Sequence, residues 1–203
     1  MSLAAILARD DVREESTLRS SFGICAYHGG MLERATDVIA REAAATAGAS
    51  YYGILLPDDP DLHLPSTEVK PDESETFRAF MDHVDTIVTV HGYGRHDQLR
   101  TVLLGGHNRS LAASVGSALR IHLGDEFSIV DEMAQIPAGL RGLHEQNPVN
   151  RPINAGVQIE LGPGLRWNRT EQGWSDCDGI GRATQVDQVI AALVEVVKAQ
   201  DVR

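Results

Sequence analysis

Six short runs rich in β-branched and aromatic residues alternate with four helical stretches along this chain, and no other feature narrows its fold as far. The runs cover residues 22–27, 51–56, 86–90, 101–104, 127–130 and 157–161. The helical stretches cover 32–47, 73–83, 109–122 and 186–199. Leu32, Ala35, Ile39 and Ala43 share one face of the first helix, and Ile190, Leu193, Val194 and Val197 share one face of the last. This is the stripe of a helix packed on a core. Strand and helix taken in turn imply an α/β protein, with helices covering both faces of a mixed, largely parallel sheet. At 203 residues the expectation is a single three-layer α/β/α domain over residues 1–203.

Composition removes several classes of function. With 42% apolar and 23% charged residues the chain is too apolar for disorder. Its apolar runs fall short of the roughly 20 residues a membrane helix needs. A net charge of −11 opposes phosphate binding, so neither nucleic acid nor membrane is an expected partner. Two cysteines, Cys25 and Cys177, are too few for a disulfide framework and fit a reducing compartment. The first residues lack the positive leader and apolar length of a secretory signal, which points to a cytoplasmic protein.

The chemistry concentrates where strands end. In Ile24-Cys25-Ala26-Tyr27-His28-Gly29-Gly30-Met31-Leu32-Glu33 a strand ends at His28, two glycines permit a tight turn, and Glu33 falls in the first turn of the next helix. A second run, Thr86-Ile87-Val88-Thr89-Val90-His91-Gly92-Tyr93, also passes from strand to His to Gly. Open α/β sheets bind ligands at the carboxyl ends of their strands. His28, Glu33 and His91 would there form the two-histidine, one-carboxylate set of a catalytic zinc with one open position. Glu160, in Gly156-Val157-Gln158-Ile159-Glu160-Leu161, shares a strand face with Gln158; it needs either a positive partner or an exposed edge strand. Strict alternation sets Cys25 and His28 on opposite faces, so Cys25 reads as a small buried residue and not as a nucleophile.

Four segments in order, His28-Gly29-Gly30-Met31-Leu32-Glu33, Val90-His91-Gly92-Tyr93, Leu104-Gly105-Gly106, and Gly156 to Glu160 continuing through Gly164-Leu165-Arg166, resemble the poly-γ-glutamate hydrolase family of bacteria and bacteriophage. The resemblance spans about residues 15 to 200. That family is in turn similar to zinc metallocarboxypeptidases, and the resemblance implies their architecture. It implies one Zn2+ per chain on His28, Glu33 and His91, Glu160 as general base, and an anionic γ-glutamyl polymer or peptide as substrate. The departure is a His-x4-Glu spacing where carboxypeptidases have His-x2-Glu, so the connecting turn must be longer.

A polyanion approaching this chain needs local positive potential. Arg95 and Arg166, each within six residues of a site motif, are the candidate substrate-binding residues. Arg100, Arg109 and Arg151 lie in neighbouring segments. His96 is either a partner to the metal site or a surface residue, and His63 and the other histidines show no ligand spacing. The irregular stretches 57–71 and 137–153, rich in proline, are expected to wall a site. Gly179-Ile180-Gly181 has no strand before it and reads as loop, not as a nucleotide fingerprint. Two further readings remain at this stage: a zinc amidase for small N-acyl amino acids or cell-wall γ-glutamyl peptides, and a non-catalytic polymer-binding module on the same fold. A phage-derived member would reach an extracellular polymer through lysis.

Overall fold

Near-continuous apolar runs belong in strands buried on both faces, and that is where they lie in the computed structural model, which describes residues 1–200. One sheet holds β1 (Arg13–Thr17), β2 (Phe22–Gly30), β3 (Ser50–Leu56), β4 (Thr86–Gly92), β5 (Thr101–Gly105), β6 (Ser128–Val130) and β7 (Gly156–Leu161). Its strand order is β1-β3-β2-β4-β7-β5-β6. Pairings β2–β3, β2–β4, β4–β7 and β5–β6 are parallel, while β1–β3 and β5–β7 are antiparallel. This is the mixed, mostly parallel α/β sheet expected from the sequence. Because β2, β4 and β7 run the same way, their carboxyl ends meet at one edge of the sheet.

Three long helices cover one face: α2 (Thr36–Ala47), α4 (Arg109–Leu123) and α6 (Thr184–Gln200), with α1 (Leu3–Leu7), α3 (Glu75–His83) and α5 (Pro163–Arg166) completing the set. Ile39, Ala43, Leu111, Val115, Leu119, Val189 and Leu193 pack there against Ile24, Ala26, Val88, Val90, Val157 and Ile159. On the other face Leu3 and Ile6 of α1 and Phe77 and Phe80 of α3 meet Tyr27, Tyr52 and Ile87. Tyr27 lies edge-on to Phe77 with ring centroids 5.7 Å apart. Ser74 caps α3, its Oγ accepting from Phe77 N–H at 3.0 Å, which starts that helix two residues later than its apolar pattern suggests.

Two local departures from the sequence reading matter for function. Helix α2 begins at Thr36, because Ala35 adopts a left-handed conformation with φ of 71°; residues 31–35 form a turn. Strand β2 continues to Gly30 and carries a bulge, since Ala26 pairs with Gly53 while Gly29 pairs with Leu55. Three residues on β2 therefore span two on β3, which changes the phase of the side chains that follow. Strand β1, whose Arg-Glu-Glu-Ser-Thr sequence has no apolar alternation, is an edge strand held to β3; it and the two-residue strands β8 (Trp167–Asn168) and β9 (Gly173–Trp174) are not visible in the periodicity. Residues 179–181 are loop, as expected. Among the described residues no helix is long and apolar enough to cross a membrane.

Candidate metal centre and active site

The bulge in β2 swings His28 onto the face that bears Tyr27 and His91, so the opposite orientation of Cys25 and His28 expected from strict alternation does not hold. Cys25 is nonetheless no nucleophile. It is fully buried, its Sγ meets Tyr27 OH and the Val88 carbonyl, and burial pushes its thiol up. The His28 ring lies 5.3 Å from that of His91. Past His28 the chain needs room to turn. A Cβ on Gly29 would come within 2.5 Å of Asp37 Cβ, and Gly30 has φ of 72° and donates its N–H to Asp37 Oδ1 at 3.0 Å. The turn closes with Glu33 N–H donating to the His28 carbonyl at 2.8 Å. Glu33 thus comes from this turn and not from the first turn of a helix.

His28, Glu33 and His91 are all buried, and one ligand atom of each lies within 4.8 Å of the others. Glu33 is the hub. Its Oε1 stands 3.1 Å from His28 Nδ1, its Oε2 stands 3.5 Å from His91 Nδ1, and Gly92 N–H donates to Oε2 at 2.9 Å. Burial alone would raise this carboxyl, but the attraction of His28, with His63 and His91, holds it well below the usual carboxylate range.

The donor set fits a cation. His28 Nε2 sits 2.7 Å from the Leu64 carbonyl, which can only accept, so the ring proton belongs on Nε2. In the neutral ring Nδ1 is then a lone pair facing a carboxylate oxygen at 3.1 Å, two acceptors that a positive ion between them would reconcile. His91 Nε2 is buried with no hydrogen-bond partner. Two imidazoles and a carboxylate are donors suited to zinc among several divalent metals.

Glu160 lies beside this cluster, paired in register with His91 across the β4–β7 ladder and flanked by Leu103 on β5. Burial pushes its carboxyl up to about 7, and the charge of Glu33 adds to the push, while His91, the Gln158 amide and Arg166 draw it down. A buried carboxylate with a value near neutrality can take and return a proton at physiological pH.

The cluster floors a cleft of about 600 Å³. Both irregular stretches wall it, as expected: Pro65, Ser66 and Thr67 from one side, and Leu140, Leu143, His144 and Asn147 from the other. His63, half exposed, stacks on His28 with centroids 4.3 Å apart and brings Nε2 to 3.4 Å from Glu33, which raises its pKa. His63 and Asn147 have no periodic signal in the sequence; only their position in a proline-rich loop hints at them.

Neither candidate arginine lines the cleft. Arg166 is buried behind Gly92, where an added Cβ would meet its guanidinium at 2.5 Å; it donates to the Arg34 carbonyl at 3.1 Å and stacks over Trp174 at 5.1 Å. Arg95 is exposed, two residues beyond Tyr93 of the wall, and His96 is exposed beside it. Arg109 is engaged with the carbonyls of Leu104, Gly106 and Asp131, and Arg100 pairs with Glu126.

An α/β sheet whose carboxyl edge gathers a His–Glu–His cluster and a separate buried carboxylate defines a hydrolase with a candidate metal centre. The chain belongs to the poly-gamma-glutamate hydrolase family, whose model matches residues 7–185, and hydrolysis of γ-glutamyl amide bonds is the activity of that family. Among solved structures it is similar to a bacteriophage poly-gamma-glutamate hydrolase, with a TM-score of 0.77 and 21% identity over 95% of this chain and 90% of that one. The zinc-free apo form of YndL gives 0.73 and 21% over 95% and 93%. An N-formylglutamate amidohydrolase from Ralstonia eutropha gives 0.51 and 9% over 94% and 98%. No curated protein matches the sequence.

Proposed function

We propose that the chain hydrolyses γ-glutamyl amide bonds with one zinc ion held by His28, Glu33 and His91, and with Glu160 as general base. The observation that carries this reading is the convergence of those three ligand atoms within 4.8 Å beside Glu160 on the neighbouring strand. Zinc bound there would lower the pKa of water and polarise the scissile carbonyl. The protein's own groups do the rest. Glu160 takes a proton from the attacking water and returns it to the amine nitrogen as the C–N bond breaks. Gly92 N–H fixes the Glu33 carboxylate, and the Leu64 carbonyl fixes the His28 ring.

Arg95 and Arg166 enter the proposal as the positive groups for the substrate's carboxylates. Arg166 acts through its field from behind Gly92, and Arg95 acts at the rim beyond Tyr93.

The test is bound zinc per chain and hydrolysis of poly-γ-glutamate for the wild type, Glu33→Gln and Glu160→Gln. One zinc in the wild type, lost in Glu33→Gln and retained in Glu160→Gln with the rate down on the order of 10²- to 10⁴-fold, supports the ligand and base roles together. A wild type that hydrolyses the polymer without zinc, or a Glu160→Gln variant of full activity, overturns them.

A further inference from the structure

The Glu160 carboxylate is gripped from the same strand. Gln158, two residues earlier on β7 and on the same face, donates from Nε2 to Glu160 Oε1 at 2.8 Å, and both side chains are buried. The orientation of this amide is dictated by a chain of partners that each have one option. Val149 N–H can only donate, and it meets Asn147 Oδ1 at 3.2 Å. Asn147 therefore turns Nδ2 outward, and Nδ2 donates to Gln158 Oε1 at 2.8 Å. Gln158 is left with Nε2 facing Glu160 and the Leu140 carbonyl, at 3.4 Å, both acceptors. Each link follows from donor and acceptor chemistry, so the amide cannot be reversed without breaking the series. The same loop closes on Gln158 from above: Gly142, with φ of 62°, has no room for a Cβ, which would sit 2.7 Å from Gln158 Oε1.

From this arrangement we propose that Gln158, oriented by Asn147, is the positioning residue of the base. Its amide N–H donates to Oε1 of Glu160 and leaves Oε2 as the oxygen that takes the water proton. The proposal rests on Glu160 acting as the base. It ties the second wall of the cleft to the chemistry, because Leu140, Gly142 and Asn147 all belong to that wall and all touch Gln158.

Two variants test it. Asn147→Asp is isosteric and replaces the donor with an acceptor, so Gln158 must turn its amide and present Oε1 to Glu160. Gln158→Met keeps the length and removes the donor. The expected result for both is a kcat lowered about 10- to 100-fold, with KM within about twofold and bound zinc unchanged. In a Glu160→Gln background, measured in single-turnover experiments, Asn147→Asp should add almost no further loss, because the group it acts through is already gone. Unchanged kcat in Gln158→Met overturns the proposal, as does a loss of equal size in the Glu160→Gln background or one that tracks loss of zinc. Should Asn147→Asp fail to fold, Gln158→Met alone and in the Glu160→Gln background carries the same comparison. Full activity in Glu160→Gln itself would instead remove the base assignment, an outcome separate from failure of the positioning role.

Discussion

On β4 and β7, Val88, Val90, Val157 and Ile159 pack beneath α2, α4 and α6, whereas His91, Gln158 and Glu160, each one residue away, lie on the opposite face. The two sets share the same ladder and nearly the same burial. They differ in what satisfies them: the first set is held by close-packed hydrocarbon, the second by a handful of directed polar contacts. Period-two geometry lets one strand serve both purposes without compromise. It also means that neighbouring substitutions should separate stability from chemistry.

The largest contrast is expected between His91→Ala and Val90→Ala. Losing a ligand removes several kcal/mol of transition-state stabilisation, so His91→Ala should lower kcat/KM on the order of 10³-fold or more and release the metal. Val90→Ala should keep full metal content and activity with a lower Tm, read by calorimetry beside zinc analysis. A Val90→Ala variant that loses zinc would show that the two faces are not independent. Next, Ile159→Ala, between Gln158 and Glu160 in sequence, should cost about 2–5 kcal/mol in denaturant unfolding while retaining zinc. If its kcat falls as far as that of Gln158→Met, packing behind the strand governs the base as strongly as the amide in front.

Gly92→Ala sharpens the comparison at the point where the faces meet a third element. Its methyl group would collide with the Arg166 guanidinium, so about 1–3 kcal/mol of stability and some metal affinity should be lost together. Metal titration and urea unfolding of one preparation would check that pairing.

The smallest effect belongs far from the site. Arg182 joins Glu42 of α2 at 2.6 Å, Asp176 at 2.7 Å and Asp187 of α6 at 3.2 Å. Arg182→Met should cost no more than about 1 kcal/mol, because the network is partly exposed. Arg182 lowers the Glu42 carboxyl. A lowered native pKa gives stability that is complete above the ordinary carboxylate value and disappears as acid protonates Glu42. The difference between wild type and Arg182→Met should therefore shrink below about pH 4.

Much of the helix-covered face was legible in the sequence, since Ile190, Leu193 and Val197 or Val157 and Ile159 announce their burial by periodicity alone. The site was legible in part. His28 and His91 could be placed at strand ends before glycine, and Glu160 stood out as an isolated acidic residue inside an apolar strand. The contribution of Glu33 from a turn was not, because it depends on the left-handed Ala35, a residue with no preference for that conformation. His63 and Asn147 leave no trace in the pattern because they sit in stretches without regular structure. Strand β1 carries no such signal because its place at the sheet edge comes from specific bonds, such as Glu14 accepting from Tyr52 OH at 2.7 Å and from Ser74 Oγ at 2.5 Å, and not from apolar alternation.

The three-for-two pairing in β2 bears on how relatives of this chain should be compared. A relative that keeps these letters but pairs Ala26 to Gly29 one-for-one with β3 would have the same composition, hydropathy and motif, yet plain alternation would turn its His28 away from Glu33. An alignment that matches only the letters would count such a chain as a full member, although its first histidine would point into the helix layer. The pairing of these four positions with β3 is accordingly a stricter criterion for a working centre than the presence of the histidine itself.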